Sequence, residues 1–246
     1  MEHSFHSLPQ YQQIAATLRQ KIQDETYRPG DKLPTEKELS EQFGVNRHTL
    51  RRAIAVLKQS GLVRVDHGRG TFVAAAPIVL SIDRRIRFNE TLRAQGYQVT
   101  YQTLRTLEIK ADGSPAKNLK LPEGSAIFLI ERLSIIDAAP DGLPICISSH
   151  YFPAERFPGL LEYYPNHNSV SKVLQSKYQC DHVRLKTRIS ARTVSLQDAR
   201  HLAVSQQAPI LLTEAINTDQ NGDRIEYGVS RFRGDIMEVI FAHDES

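Results

Sequence analysis

Basic side chains recur at helical spacing between Asn46 and Ser60. Arg47, His48, Arg51 and Arg52 share one broad face of the helix that this segment predicts. The apolar residues fall on the opposite face: Leu50, Ala53, Ile54 and Leu57. Guanidinium groups presented in this way can bind phosphate oxygens and the edges of guanine bases. The alternative is a basic face that only contacts solvent, as most runs of charged residues do. The elements on either side of this segment distinguish between ligand binding and solvation.

Helix caps frame this segment. Thr35 followed by Glu38 predicts a capping box that begins one helix. Gly44 is placed to end that helix in a left-handed conformation, and Asn46 is placed to cap the next one. Because only Val45 lies between the two caps, the helices are expected to cross steeply, as in a helix-turn-helix.

A short hairpin follows the basic helix. Gly61 ends the helix, strand-forming residues begin at Leu62, and Thr71-Phe72-Val73 returns after the tip His67-Gly68-Arg69-Gly70. Two glycines let the tip approach a phosphate or a minor groove closely, and Arg69 between them suits the negative potential there. The turn, the caps and this wing all agree with the charge, so the basic face predicts a DNA-binding surface.

The motifs PGDKLPTEKELS, FGVNRHTLRRAI and GLVRVDHGRGTFV follow a predicted helix from Tyr11 to Asp24. In this order they resemble the winged-helix domain of the GntR family of bacterial transcription regulators. The resemblance implies DNA contacts from Lys37, Arg47, Thr49, Arg51, His67, Gly68 and Arg69. We add His48 and Arg52 because they share the basic face. Many family members carry Arg at position 37, and a Lys there is expected to contact the phosphate backbone rather than a base.

The distribution of charge supports the same interpretation. The 246-residue chain has a formal net charge of +3, and residues 1–75 hold eleven Lys and Arg against eight Asp and Glu. The remaining residues hold twenty of each sign. One such module releases too few counterions to bind DNA tightly alone, so we expect a homodimer on an inverted repeat of double-stranded operator DNA.

Other classes of protein lack support in the sequence. No apolar run approaches the roughly 20 residues that span a bilayer, and Met-Glu-His-Ser-Phe at the N-terminus does not resemble a signal peptide, so a cytoplasmic protein is expected. Cys146 and Cys180 have no companions at the spacing of metal ligands. They are interpreted as reduced structural residues, and neither a metal nor a cofactor is expected.

The second half of the chain predicts a separate α+β domain. Residues 1–75 are assigned to the winged helix, residues 76–86 to an extended linker, and residues 87–246 to the second domain. A short helix is expected from Arg87 to Gln95, and strand patterns dominate after it. The runs from Ile127 to Ile136 and from Leu143 to Tyr151 predict a hairpin.

The end of the chain completes the expected sheet. Asn221-Gly222 predicts a tight turn between Ile210–Thr218 and Arg224–Arg231. The last apolar run, Ile236 to Phe241, is expected to close the sheet. The fold class is therefore α+β, with an N-terminal winged helix and a second domain built on an antiparallel sheet.

The stretches IERLSIIDAAPDGLPICISSHYFP, SVSKVL, TRISARTV and GDRIEYGVSRFRGDIMEVIF resemble the UTRA effector domain of the HutC branch of GntR regulators. The resemblance spans Arg87 to Phe241 and implies a chorismate-lyase-like fold that binds a small, often anionic effector. Sugar phosphates, amino-acid derivatives and phosphonates are the ligand classes of such domains. The motifs NRHTLRRAI, RFNETL, HYF and TRISAR are most similar to branch members that regulate phosphonate metabolism.

The resemblance also implies an effector pocket formed by Arg132, Ser134, Ser169, Arg188, Glu226, Ser230 and Phe232. Ser169 has an equal alternative as a plain helix N-cap, and Arg188 as a surface ion pair with Glu214 or Glu226. Two positions depart from the family: Ser134 stands where sugar-phosphate members tend to carry Arg, and Phe232 where Tyr is common. The missing Arg fork argues against a sugar phosphate. His150 is interpreted as a core or surface residue without a role.

These features leave three classes of function. The first is a repressor of phosphonate uptake or metabolism genes that a small anion, such as a phosphonate or phosphate ester, releases from DNA; a HutC-type regulator of another pathway is its alternative. The second is an enzyme of chorismate-lyase-like fold, which the sequence does not support with a metal triad or a nucleophile elbow. The third is an architectural DNA-binding protein, which would leave the second domain, residues 87–246, without a function.

Overall fold

The structure is a computed structural model, and it describes residues 8–82, 88–137, 142–164 and 169–241. The chain divides between Ala76 and Pro77 into an N-terminal and a C-terminal unit, except that Ala203–Ser205 group with the N-terminal unit. The N-terminal unit contains three helices and a hairpin: α1 (Gln10–Gln23), α2 (Glu36–Phe43), α3 (Arg47–Gln59), β1 (Val63–Asp66) and β2 (Gly70–Val73).

The caps that the sequence predicted form the helix-turn-helix. The Thr35 hydroxyl accepts from the Glu38 amide at 3.3 Å, and the Glu38 carboxylate accepts from the Thr35 amide at 2.8 Å. Gly44 ends α2 in the left-handed region, with a φ of 62°, which glycine adopts without strain. Asn46 then caps α3 by accepting from the Thr49 amide at 2.8 Å.

One apolar cluster holds the N-terminal unit together. Leu18 of α1, Leu39 of α2, and Leu50 and Leu57 of α3 are each at most 1% exposed and belong to the same cluster. β1 and β2 form the antiparallel wing, in which Val63 lies opposite Val73. The basic face of α3 is therefore anchored from behind by apolar side chains, as its periodicity indicated.

The C-terminal unit is built on a six-stranded antiparallel sheet in the order β4-β5-β6-β9-β8-β7. Its strands are β4 (Val99–Lys110), β5 (Ala126–Ile136), β6 (Leu143–Pro153), β7 (Val183–Thr193), β8 (Pro209–Thr218) and β9 (Arg224–Arg233). The hairpin β8–β9 carries the predicted turn at Asn221-Gly222, where Gly222 has a φ of 88°. The antiparallel sheet and the α+β class are as the sequence predicted.

Two further strands form a pair outside that sheet. β3 (Ile78–Ser81) and β10 (Met237–Ile240) run parallel to each other, with Met237 opposite Ile78. The expectation that residues 236–241 close the main sheet is therefore wrong. Part of the segment 76–86, expected to be only an extended linker, is a strand of the C-terminal unit, because its apolar residues Ile78 and Leu80 are buried. Residues 83–87 of the linker lie outside the described residues.

Among the described residues of this unit, five helices pack around the sheet: α4 (Phe88–Ala94), α5 (Gly113–Leu119), α6 (Leu160–Tyr163), α7 (Val170–Tyr178) and α8 (Leu196–His201). The predicted start of α4 at Arg87 is also outside the described residues. α6 and α7 pack on one face with Phe152 and Ile130, whereas α5 packs on the other with Ile127 and Tyr227. A sheet with both faces covered can enclose a ligand between one face and its helices.

The capping box gives a prediction for the N-terminal unit. Replacing Thr35 by Ala removes the hydroxyl that holds the first turn of α2, which should destabilise the helix by about 1 kcal/mol. Hydrogen exchange of the α2 amides, followed by mass spectrometry on the full chain, should then be about 5-fold faster. Thr17→Ala is the matched control, because the exposed Thr17 hydroxyl donates only within α1. Equal exchange of α2 in both variants would contradict the capping role.

Candidate DNA-binding and effector-binding sites

The outer face of α3 is exposed along its length. Arg47, His48, Arg51 and Arg52 are all exposed, and Thr49 is half-buried where its amide meets the Asn46 cap. Four predicted contact residues therefore leave their side chains available at the N-terminal end and outer face of the helix. The first turn of such a helix is the part that reaches base edges in helix-turn-helix proteins.

Some of the predicted basic contact residues are held in place by neighbouring side chains of the same unit. The Arg51 Nε donates to the Glu36 carboxylate of α2 at 2.8 Å while the Arg51 side chain stays 68% exposed. The Arg52 guanidinium lies 4.1 Å from the ring centroid of Tyr11 on α1. Lys37 pairs weakly with Glu41, with 4.0 Å between their charged atoms. Surface contacts of this kind contribute little to stability and yield readily to a phosphate.

The tip of the wing has the conformation that the two glycines predicted. Gly68 and Gly70 have φ values of 74° and 118°, in the region that favours glycine. His67 and Gly68 are exposed, and Arg69 lies with its guanidinium 5.9 Å from the ring centroid of Phe72. All nine predicted DNA-binding residues thus lie in the helix-turn-helix or at the wing.

The C-terminal unit contains a cavity of about 460 Å³ between one face of the sheet and the elements that cover it. Six of the seven predicted effector residues line this cavity: Arg132, Ser134, Ser169, Glu226, Ser230 and Phe232. Its volume falls in the range that small-ligand sites occupy. Six residues that the resemblance assigned to an effector pocket therefore line one cavity, and effector binding by them stays a prediction.

Strand register explains how distant residues reach the same wall. Thr213, Ser230, Ser148 and Arg132 are directly opposite one another on β8, β9, β6 and β5, and all four line the cavity. The hydroxyls of Ser148 and Ser230 are 3.1 Å apart. Because side chains alternate along a strand, this row of hydroxyls and one guanidinium points to a single face. It provides donors suited to an anionic group.

Two positions further along the strands, small residues form the floor of the cavity. Ala215 lies opposite Gly228, and Gly228 lies opposite His150 on β6. Beyond them Asn217 lies opposite Glu226 in the same ladder. Along the strands, the cavity wall therefore consists first of hydroxyl groups, then of the small residues Ala215 and Gly228, and finally of the buried Glu226 carboxylate and Asn217 amide.

Glu226 is the centre of a buried polar cluster. Its side chain is 2% exposed, and its two oxygens contact His150 Nδ1 and His182 Nε2. Asn217 Nδ2 donates to Glu226 Oε2 at 2.7 Å. Burial alone would raise the pKa of Glu226, but the charges and hydrogen bonds of His182 and His150 outweigh it and hold that pKa well below its usual value. The carboxylate is therefore ionised inside the cavity wall.

The cluster extends to the helix that covers the cavity. His182 Nδ1 lies 2.8 Å from the Ser171 hydroxyl oxygen in the first turn of α7. Ser169 caps α7 by accepting from the Lys172 amide at 3.4 Å, and it also lines the cavity. The N-cap interpretation of Ser169 is therefore confirmed, and its role as an effector-binding residue stays a prediction.

Arg132 lies between two aromatic rings. Its guanidinium carbon is 4.0 Å from the ring centroid of Tyr101 and 4.8 Å from that of Tyr164. Burial raises the pKa of Tyr101 to about 12 against the opposing charge of Arg132, so the phenol stays neutral. Stacking fixes the plane of the guanidinium, which prepares it for a ligand with several oxygens.

Arg188 is the predicted effector residue that the structure places elsewhere. Its side chain is 68% exposed on β7, it does not line the cavity, and it lies 3.4 Å from Glu214. The expectation of a pocket role is therefore wrong in this structure, and the surface ion pair is correct. The neighbouring Thr187 faces the cavity instead, because adjacent residues of a strand point to opposite faces.

Sequence reasoning missed His150, His182 and Asn217, all of which line the cavity. The sequence pattern assigns no role to His150, although the residue contacts Glu226 in the structure. The signal for Asn217 was available: a tight hairpin at Asn221-Gly222 sets the pairing of the two strands around it. His182 precedes its strand, and no periodicity could place it.

The described residues contain no group of three or more His, Cys, Asp or Glu side chains that could hold a metal ion. Within the same residues, none of the helices is long and apolar enough to cross a membrane.

Comparison with known proteins assigns both units. Residues 10–73 match the bacterial regulatory proteins of the gntR family, and residues 94–238 match the UTRA domain. The chain is 34% identical over 230 residues to an "uncharacterized HTH-type transcriptional regulator" of Rhizobium meliloti, with 93% of each chain covered. It is 32% identical over 234 residues to the "probable transcriptional regulator PhnF" of Escherichia coli, with 95% of each chain covered.

A solved structure agrees with the fold. The crystal structure of PhnF from Mycobacterium smegmatis has a TM-score of 0.66 to this chain at 27% identity, and the similarity covers 95% of this chain and 100% of that one. A winged helix joined to a UTRA domain defines a DNA-binding transcription regulator that responds to a small molecule, not an enzyme. The chain belongs to the GntR family, to the type that includes the HutC and PhnF regulators.

The Glu226 cluster predicts a pH-dependent loss of stability. Because the pKa of Glu226 is lower in the folded protein than its ordinary value of 4.5, the carboxylate stabilises the fold above about pH 4.5. That contribution is lost as the pH falls below this value. Glu226→Gln should therefore lower the free energy of unfolding at about pH 7, and the difference from wild type should shrink towards pH 3.5. Urea unfolding of both proteins across this range tests it; a difference that does not depend on pH would contradict it.

Proposed function

We propose that this protein is a homodimeric repressor that binds an inverted repeat of operator DNA. It dissociates from the DNA when a small anion, of the phosphonate class, occupies the cavity of the C-terminal unit. The observation that carries the proposal is that one chain has both an exposed basic face on α3 and a cavity lined by a row of hydroxyls and Arg132. Relatives named PhnF support the choice of phosphonates, and a relative named repressor, NagR of Bacillus subtilis, supports the sign of regulation.

Reading of DNA is assigned to Arg47 and Arg51. Both are exposed on α3, and both can present a bidentate guanidinium to guanine. Lys37, His48 and Arg52 are assigned to phosphates, and the wing residues 67–69 to the adjacent groove. A dimer doubles every such contact, which offsets the small net charge of one unit.

Recognition of the anion is assigned to Arg132 and the hydroxyl row. Arg132 is 4% exposed and stacked between aromatic rings, so its orientation is fixed before a ligand arrives. Ser134 and Ser230 add hydroxyls from the sheet, and Ser169 adds one from the N-terminus of α7, which covers the cavity. Arg93, Arg184 and Lys172 also line the cavity, so it offers an anion positive charge from more than one element.

Release from DNA then follows from linkage. An anion that binds one arrangement of the dimer more tightly than another shifts the population towards it, and the operator loses affinity by the same factor. A ligand with equal affinity for both arrangements would bind without any effect on DNA. The proposal therefore requires differential affinity, which a release assay measures directly.

The DNA-reading role gives a matched pair of variants. Arg51→Ala should weaken binding by about 30-fold or more, because one base contact contributes about 1–3 kcal/mol and a dimer loses two. Lys58→Ala, on the same helix but in its last turn, is the control and should change affinity far less. The probe is a duplex enriched by the wild-type protein from a random library, in a mobility-shift titration. Unchanged affinity for Arg51→Ala, with a wild-type circular dichroism spectrum, would refute the assignment.

The effector role is tested by thermal shift on the full chain. Methylphosphonate should raise the melting temperature more than glucosamine 6-phosphate or urocanate, which represent the two competing ligand classes. Arg132→Gln should abolish the shift because it removes the guanidinium charge and fork. Arg188→Gln is the control, since Arg188 lies on the outside of the sheet, and it should keep the shift. A larger shift with either competing ligand would assign the regulator to that class instead.

A further inference from the structure

Two polar atoms in the cavity wall are buried and unpaired within the described part of the chain. Asn217 Oδ1 and Thr187 Oγ1 both lack a hydrogen-bond partner among the residues that the structure describes. Both residues line the cavity, and Asn217 is 3% exposed. Buried polar atoms are nearly always hydrogen-bonded. Two unpaired polar atoms in a cavity wall therefore indicate a position where a ligand could supply the hydrogen bonds.

The orientation of the Asn217 amide follows from its neighbour. Its nitrogen lies 2.7 Å from the Glu226 carboxylate, which can only accept hydrogen bonds. Reversing the amide would place two acceptors against each other, so Oδ1 has to face away from Glu226. The oxygen is thus an acceptor, and it requires a donor.

Thr187 provides a second group close by. It lies opposite Ala215 on β8, two residues before Asn217, which makes Thr187 and Asn217 diagonal neighbours on one face of the sheet. Diagonal positions of this kind are about 7–8 Å apart at the backbone, within reach of one small group between the side chains. The ionised Glu226 makes this end of the cavity favourable to a donor.

We infer that the effector carries, besides its anionic group, an amino or hydroxyl group that donates to Asn217 Oδ1 and contacts the Thr187 hydroxyl. The inference rests on the proposed function for the existence of an anionic effector. It adds the chemical nature of the group at the other end of that effector. The hydroxyl row and Arg132 bind the anion, while the amide and threonine select what is attached to it. An anion with an alkyl end would leave both polar atoms buried and unpaired.

Three phosphonates of equal length test this: 2-aminoethylphosphonate, 2-hydroxyethylphosphonate and propylphosphonate. They differ mainly in the terminal group, which is an ammonium, a hydroxyl or a methyl. Calorimetric titration of the full-length protein should show at least about 10-fold tighter binding of one or both donor-bearing ligands than of propylphosphonate. Comparison of the amino and hydroxyl ligands identifies which donor the site takes.

Variants assign the preference to the two residues. Thr187→Val, which keeps the shape and removes the hydroxyl, should reduce the preference about 3- to 10-fold. Asn217→Leu should remove most of it, and Thr187→Val keeps the test valid if that buried variant does not fold. Thr193→Val, on the same strand but outside the cavity lining, should leave the preference unchanged.

The outcomes separate this inference from the proposed function. Equal or tighter binding of propylphosphonate would overturn the inference while the anion site stands. If no phosphonate binds, the phosphonate class fails, and β-alanine, 3-hydroxypropionate and butyrate repeat the comparison with a carboxylate. A preference for the donor-bearing acids in that series would support the inference without phosphonates. No binding in either series, or a preference that survives in Thr187→Val and Asn217→Leu alike, would overturn it.

Discussion

A carboxylate buried in a protein has to be surrounded by hydrogen-bond donors, and the cavity of this regulator is arranged around that requirement. Glu226 receives its donors from three other elements: His150 on β6, Asn217 on β8, and His182 just before β7. Meeting this demand fixes the pairing of the central strands and the position of the segment that precedes β7. Through Ser171 the same cluster also reaches the first turn of α7.

This arrangement separates two kinds of polarity within one small cavity. Hydroxyls and Arg132 form one part of the wall, and Glu226 with Asn217 forms another. Ala215 and Gly228 lie between them and leave space. In the N-terminal unit the division is simpler, because one helix carries leucines on its inner face and arginines on its outer face. The two units therefore suit two different partners, a duplex and a small polar molecule.

Local signals in the sequence were sufficient for the N-terminal unit. Thr35, Glu38, Gly44 and Asn46 act within a few residues of themselves, so the chain order alone shows what they cap. The antiparallel sheet and most of its strands were also predictable from alternation and from turns such as Asn221-Gly222. These features depend on neighbours in sequence, which a single chain displays directly.

The remaining features depend on contacts that the chain order does not display. The pairing of β3 with β10 joins residues some 160 positions apart, and no local pattern distinguishes it from a linker. Arg188 and Thr187 are adjacent, and the face each one takes depends on a register that contains a bulge near Arg184. His150 and His182 gain their meaning only beside Glu226. Resemblance to a family located the cavity, but the geometry was needed to show which side chains line it.

Regulation by this protein depends on coupling between the cavity and DNA affinity. The most direct test is a titration of the enriched duplex with the wild-type protein, in the absence and presence of saturating 2-aminoethylphosphonate and methylphosphonate. We expect the ligand that binds the cavity to weaken DNA binding by about 5- to 150-fold, and Arg132→Gln to lose this response while it still binds DNA. Undiminished DNA affinity at ligand concentrations that saturate the cavity would contradict it.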